Sequence, residues 1–257
     1  MAFMDKFLMK DKRVVITGGA QNIGKAVAEA LAGMGAVVGI FDVNFALAAA
    51  AAKDIAERYT AVCKAYPCDV SSQAQVAAAM EAFTADFGTL DGVLNNVGTR
   101  LHKPAVDVTP EEWRKIMNVN IDGMFYVAQA AARRFIQEGK KGSIVNTASM
   151  SGSIVNIPQK QAAYNASKAA VIHMTKSLAV EWAEHGIRVN VISPGYIRTD
   201  MTASVAEEMR NYWLSLIPFK RMGTPEELAG GVIYLLSEAS SYTSGCELVM
   251  DGCYTCI

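Results

Sequence analysis

Arg13-Val-Val-Ile-Thr17, followed at once by Gly18-Gly19-Ala20-Gln21-Asn22-Ile23-Gly24, decides the fold of this chain. Val14, Val15 and Ile16 form a β-branched run without alternation, the pattern of a strand buried on both faces. The glycine turn ends it, and an alanine-rich helical stretch runs from about Ile23 to Met34. The same beat then recurs. Ala36 to Phe41 reads as a strand and Ala46 to Arg58 as a helix; Ala61 to Tyr66 as a strand and Gln73 to Phe87 as a helix. Gly92 to Asn95 precedes a long helix expected from Pro110, a good first-turn residue, to about Ile136. Ser143 to Thr147 precedes a helix from about Ala162 to Glu184, and Arg188 to Ile192 is a further strand. A helix starts at Pro225 with Thr224 as its cap, and a last strand lies near Glu247 to Met250. Strands alternating with helices imply parallel pairing through right-handed crossovers. The expectation is an α/β fold: one doubly wound parallel sheet of about seven strands, helices on both faces, a single domain over residues 1–257.

Composition narrows the function. The chain has 24 Lys and Arg against 25 Asp and Glu, so it lacks the basic excess of a nucleic-acid-binding surface. Its longest apolar run, Phe45 to Ala52, is far shorter than the roughly 20 residues that span a bilayer. The N-terminal residues mix acid and base with no apolar core of a signal peptide, so a cytoplasmic location is expected. Five cysteines are an odd number for a disulfide framework, and Cys253-Tyr-Thr-Cys256 has no second ligand pair for a metal. No metal site is expected.

The glycine turn carries the first chemistry. Between a first strand and a first helix, glycines allow a tight turn and close approach of the backbone to a pyrophosphate, whose charge suits a helix N-terminus. Asp42 ends the second strand, 24 residues after Gly18. A carboxylate there can accept from both ribose hydroxyls and would repel a 2′-phosphate, which predicts NAD over NADP; it could equally cap the next helix. Asp69, closing the third strand beside Val70, could meet the adenine or cap a helix. Asn96 and Gly98, closing the fourth, allow close passage of a ligand or make a turn.

Tyr164 and Lys168 carry the second. They stand four residues apart in an alanine-rich helical segment, so both point to one face. A nearby cation favours an ionised phenol, whose ordinary pKa is about 10, and a tyrosine so tuned can exchange a proton with a carbonyl or hydroxyl. Alone, the pair is also what a half-buried tyrosine and a solvated lysine would look like.

Taken in order, these motifs resemble the short-chain dehydrogenase/reductase family over nearly the whole chain, which implies a Rossmann-type dinucleotide fold. The family's Thr-Gly-x-x-x-Gly-x-Gly is matched at Gly18 and Gly24, with Asn22 in place of the middle glycine; asparagine tolerates positive φ better than most residues. Asn95-Asn96-Val97-Gly98 is similar to its Asn-Asn-Ala-Gly. The resemblance places catalytic roles on Asn120, Ser149, Tyr164 and Lys168, with Ser151 a close alternative to Ser149. It places Gly18, Gln21, Asn22, Ile23, Gly24, Asp42, Asp69, Val70, Asn96, Gly98, Pro194, Ile197 and Thr199 on NAD, with Tyr164 and Lys168 at its nicotinamide end. Tyr164 would move the proton, Lys168 would lower its pKa and hold the ribose, Ser149 would bond the reacting oxygen, and Asn120 would keep a relay water.

Asn146 to Gly152, Pro158 to Asn165 and Met250 to Cys256 resemble the sugar-alcohol/ketose branch of that family, implying a polyol or ketose substrate. A 3-oxoacyl or other ketone reductase and a non-catalytic NAD-binding sensor are the alternatives. Ser151, Asn156, Gln159 and Tyr196 are candidate substrate contacts, although Asn156 and Gln159 could serve local backbone capping instead. The segment at about 196–222 breaks the strand–helix rhythm and is expected to cover the substrate. The helices around 110–136 and 162–184 are apolar on more sides than one sheet can cover, which, with the resemblance, implies a homotetramer.

Overall fold

The computed structural model describes residues 2–257. Seven strands, β1 (Arg13–Thr17), β2 (Val37–Asp42), β3 (Cys63–Pro67), β4 (Gly92–Asn95), β5 (Gly142–Thr147), β6 (Ile187–Pro194) and β7 (Glu247–Met250), form one sheet in the order β3-β2-β1-β4-β5-β6-β7. Every pairing is parallel. The helices are α1 (Asn22–Gly33), α2 (Phe45–Tyr59), α3 (Gln73–Phe87), α4 (Pro110–Met117), α5 (Gly123–Gln137), α6 (Ala162–Glu181), α7 (Asp200–Ala203), α8 (Glu207–Leu216) and α9 (Pro225–Leu236).

Side chains alternate across the strands, so each face of the sheet builds its own core. Val14, Ile16, Val38 and Ile40 pack with Val27, Leu31, Ile55 and Val232 of α1, α2 and α9. Val15, Phe41, Val93 and Ile144 pack on the other face with Phe83, Val127, Phe135 and Leu178 of α3, α5 and α6. Each such side chain contributes about 1.5–3 kcal/mol on full burial, which fixes the register and the helix positions.

The strand order reverses beside β1. From β1 the chain moves outward to β2 and β3, then returns to pair β4 on the other side of β1. Ligands in such sheets bind at this reversal, outside the carboxyl ends of the strands. Thr17, Asp42, Asn95, Thr147 and Pro194 all end their strands on that edge.

Three expectations are corrected. The long helix is interrupted by a π-helical turn at Asn118–Asp122, between α4 and α5. Wider turns of this kind leave no trace in a pattern of apolar spacing. α6 stops at Glu181, and a 3₁₀ turn, Ala183–His185, leads to Gly186 at φ 68°. β6 extends beyond Ile192 to Pro194 because β7 pairs with its end, Pro194 opposite Met250. The segment after β6 holds α7 and α8 on a small core of its own, in which the Tyr196 and Trp213 rings stack at 4.3 Å. Among the described residues no helix is long and apolar enough to cross a membrane.

Candidate active site

Thr17 stitches the strand ends together at the reversal point. Its hydroxyl accepts from the backbone N–H of Asn96 at 2.9 Å and of Val97 at 3.2 Å. Gly18 turns the chain at φ 67°, and Asn22, in place of a glycine, holds φ 51°. Gly24 has no room for a side chain: a Cβ there would stand 2.1 Å from the Gly18 carbonyl oxygen. The start of α1 is thereby pressed against the turn, with its N-terminus open to the strand edge.

A cleft of about 640 Å³ runs along this edge. Of the cofactor residues expected from the sequence, Gly18, Gln21, Asn22, Ile23, Asp42, Asp69, Val70, Asn96, Gly98, Tyr164, Lys168, Pro194, Ile197 and Thr199 line it, and Gly24 sits behind the turn. Asp42 lies at one end. Its Oδ1 accepts from the Asn44 N–H at 2.9 Å, while α2 is capped by Asn44 itself, which accepts from Leu47 N at 3.1 Å. Asp42 is therefore not the cap of α2. Asp69 turns Oδ1 to Ser71, accepting from its N–H at 2.9 Å and its hydroxyl at 2.7 Å.

Ser149, Tyr164 and Lys168 stand at the other end. Ser149 follows β5, and its Oγ accepts from the Ser151 N–H at 3.1 Å. The Ser149 hydroxyl and the Tyr164 phenol line the same cleft. Lys168 lies one turn along α6 with Nζ 5.7 Å from the centre of the Tyr164 ring, and it donates to the Thr147 carbonyl at 2.8 Å. Gly98 brings the end of β4 close: a Cβ there would lie 3.1 Å from Lys168 Nζ. Asn120 sits at the π turn, fully buried, and does not line the cleft. Its Nδ2 donates to the Thr99 carbonyl and the Ser167 hydroxyl, both at 2.9 Å, and its Oδ1 accepts from Thr99 N at 2.8 Å. The side chain thus ties α6 to the loop after β4, holding Gly98 and Lys168 in register.

Burial sets the titration of this end. It pushes the Tyr164 phenol up, against the opposing pull of the Ser149 hydroxyl and the Arg100 charge. It pushes the Lys168 ammonium down to about 7. Burial thus weighs against the charged form at both groups. Arg100 lies two residues beyond Gly98, and no local pattern singled it out.

The expected substrate contacts are placed differently. Asn156 and Gln159 donate to the Tyr196 hydroxyl at 3.3 and 3.0 Å, and Gln159 accepts from Trp213 Nε1 at 3.0 Å. All four are buried. Ser151 accepts from Gln161 at 3.3 Å. These polar groups dock the segment after β6 onto the loop before α6, and none of Ser151, Asn156, Gln159 and Tyr196 lines the cleft.

A family model described as "Enoyl-(Acyl carrier protein) reductase" matches residues 18–255. A sorbose reductase of Candida albicans is 44% identical over 255 residues, covering 98% of this chain and 90% of that one. A probable NADP-dependent mannitol dehydrogenase of Yarrowia lipolytica is 43% identical, covering 98% and 91%. The crystal structure of a short-chain type dehydrogenase/reductase from Mycobacterium marinum superposes with a TM-score of 0.94 at 42% identity, covering all of both chains. The chain belongs to the short-chain dehydrogenase/reductase family. As a short-chain dehydrogenase/reductase it is an oxidoreductase that binds a nicotinamide cofactor. The cleft suits one, with an acid at one end, helix-start amides in the middle and a tyrosine–lysine pair at the other.

Proposed function

We propose that this enzyme interconverts a secondary alcohol of a sugar alcohol with the corresponding ketose, using NAD, as a cytoplasmic homotetramer. The observation that carries the reading is a single cleft that Asp42 lines together with Ser149, Tyr164 and Lys168. The sorbose reductase and mannitol dehydrogenase similarities support the substrate class. A bound nicotinamide would supply or accept the hydride; the chain supplies position and the proton. In oxidation the Tyr164 oxygen takes the proton of the reacting hydroxyl, and in reduction it returns one to the carbonyl oxygen. The Ser149 hydroxyl bonds the reacting oxygen and steadies its developing charge. Lys168 would hold the ribose hydroxyls, and Gly18, Gln21, Asn22 and Ile23 would face the pyrophosphate. The segment 196–222 covers the substrate. The exposed face of α6 carries Ala162, Ala166, Ala169 and Ala170 in its first half, with His173, Lys176, Ser177 and Val180 beyond, and the small residues would let another copy approach closely. All five cysteines are free, which fits a reducing compartment.

The test is NAD⁺ reduction across hexitols, pentitols, simple diols and 3-hydroxyacyl thioesters, repeated with NADP⁺. Turnover of a polyol is expected. Turnover confined to the thioesters would overturn the substrate reading and favour the acyl chemistry that the family model's description names.

Two mannitol dehydrogenase relatives carry NADP in their names, so the coenzyme is argued from Asp42. No Lys or Arg follows it in Val43-Asn44-Phe45-Ala46-Leu47 to neutralise a 2′-phosphate. Charge-assisted hydrogen bonds contribute about 1.5–3 kcal/mol each. Asp42→Ser is expected to shift the NADP⁺ to NAD⁺ ratio of kcat/KM upward by roughly 10- to 100-fold, read from initial rates at fixed polyol. An unchanged ratio would remove Asp42 from coenzyme choice.

A further inference from the structure

α7 buries no side chain, so hydrogen bonds rather than packing hold it in place. Toward the glycine turn, Asn22 and Asp200 pair reciprocally: Asn22 Nδ2 donates to Asp200 Oδ2 at 3.2 Å, and the Asp200 N–H donates to Asn22 Oδ1 at 3.1 Å. Toward the loop after β4, Arg100 Nη2 donates to the Met201 carbonyl at 2.6 Å and to the Ser204 hydroxyl at 3.1 Å. Arg210 of α8 adds a bond to the Ala203 carbonyl at 3.3 Å. Thr199, Met201 and Thr202 line the cleft, as do Gly18, Gln21, Asn22 and Ile23 of the turn. Asp200 does not line it; its carboxylate is turned to Asn22.

Asn22 is also where the turn departs from the glycine pattern. It holds φ 51°, a left-handed conformation that glycine takes freely and other residues take at a cost. Both polar atoms of its side chain are spent on Asp200. We infer that Asn22 and Asp200 are positioning residues for the coenzyme: they tie α7 to the glycine turn, and this tie must open before the coenzyme leaves the cleft. This rests on the coenzyme placement given above and not on which alcohol reacts.

The two ends of the covering segment differ in how they are fastened. Tyr196 and Trp213 are buried, stacked on each other and bonded to Gln159, which roots the segment firmly. Asp200 is exposed and Asn22 half-buried. Hydrogen bonds between such groups compete with water and net little each. A tip held this way opens locally while the root stays folded, as a fastening that must release once in every turnover requires. Asp200 also brings a negative charge toward a turn that would face the pyrophosphate. Its charge and its tie act in opposite senses: repulsion hastens release of the coenzyme, and the tie slows it. Asp200→Asn removes the charge and keeps an acceptor for Asn22, whereas Asp200→Ala removes both.

The test is the rate at which bound NADH leaves, read by stopped-flow fluorescence on displacement with excess ADP-ribose. Asn22→Gly restores the glycine pattern and suits the backbone at φ 51°, so the turn is kept. It is expected to release NADH about three- to tenfold faster than the parent, the Arg100 bonds to α7 remaining in place. Asp200→Ala is expected to release it faster as well, and Asp200→Asn to stay within about twofold of the parent or slower. A tie can be broken only once, so the double variant Asn22→Gly, Asp200→Ala is expected to match Asn22→Gly alone. Unchanged release in Asn22→Gly, slower release in Asp200→Ala, or effects that multiply in the double variant would each overturn the inference. A second readout needs no coenzyme. Amide hydrogen exchange across residues 199–204 of the cofactor-free protein is expected to quicken in Asn22→Gly while the strands keep their protection, and equal exchange in the two proteins would overturn the tie. A parent that turns over no polyol loses the substrate reading alone, and one that binds no NADH loses the coenzyme choice, while the exchange measurement still decides whether Asn22 and Asp200 hold α7.

Discussion

Tyr164→Phe is expected to lower kcat by about 10²–10⁴, leaving NADH affinity within about twofold of the parent. The range is that of a positioned general acid or base, about 3–5 kcal/mol of barrier. The substitution removes one oxygen and keeps the ring, so the face toward Lys168 stays filled. What disappears is the phenol oxygen, the atom that would carry the proton. The loss should fall on kcat and kcat/KM alike, because the interaction is made in the transition state. NADH fluorescence titration beside initial rates checks both halves. Normal turnover would sink the mechanism, and with it the distinction from an NAD-binding sensor, for which the hydroxyl has no chemical task.

The sheet was legible because its strands are short, β-branched and bounded by polar or glycine turns. β1, β4 and β7 and helix α3 have the bounds that the sequence suggested. The buried faces leave little freedom for those segments, so local pattern and tertiary structure agree. The π turn at Asn118–Asp122 was not legible, because it is tied to a contact between Asn120 and Thr99 across 21 residues rather than to apolar spacing. The same limit explains the substrate side. Asn156 and Gln159 lie near Tyr164 in sequence, and proximity suggested hydroxyl recognition. Their partners, Tyr196 and Trp213, lie about 40 and 54 residues further on. Amides so far from their partners could not be told from free ones. Arg100 escaped notice for the same reason, since its partners on α7 are 101 and 104 residues away. The motifs name residues that face the cofactor; they say nothing of those that hold the cover down.

Lys168→Met is expected to yield a nearly inactive protein that gains heat resistance relative to the parent at acid pH. The activity loss, about 10²–10³, follows from removing the group that would hold the nicotinamide ribose beside the reacting oxygen. The stability effect follows from burial. Lys168 is 2% exposed, and its ammonium titrates at about 7 in the folded chain against 10.5 unfolded. Below pH 7 both states carry the proton, and the folded protein bears the whole cost of a buried charge. Between 7 and 10.5 the unfolded chain binds a proton that the folded chain does not, so the parent gains stability as pH rises. The gain is about 1.4 kcal/mol per unit at most, on the order of 3 kcal/mol from pH 7 to 9. Methionine keeps the length of the stem without titrating, though it leaves the Thr147 carbonyl without its donor at every pH. The melting temperature of the variant minus that of the parent should therefore be largest near pH 6 and fall by roughly 5–10 °C by pH 9. Differential scanning calorimetry of both cofactor-free proteins at pH 6, 7.5 and 9 measures this. A gap that stays constant would mean that Lys168 enters the folded state with its ordinary pKa.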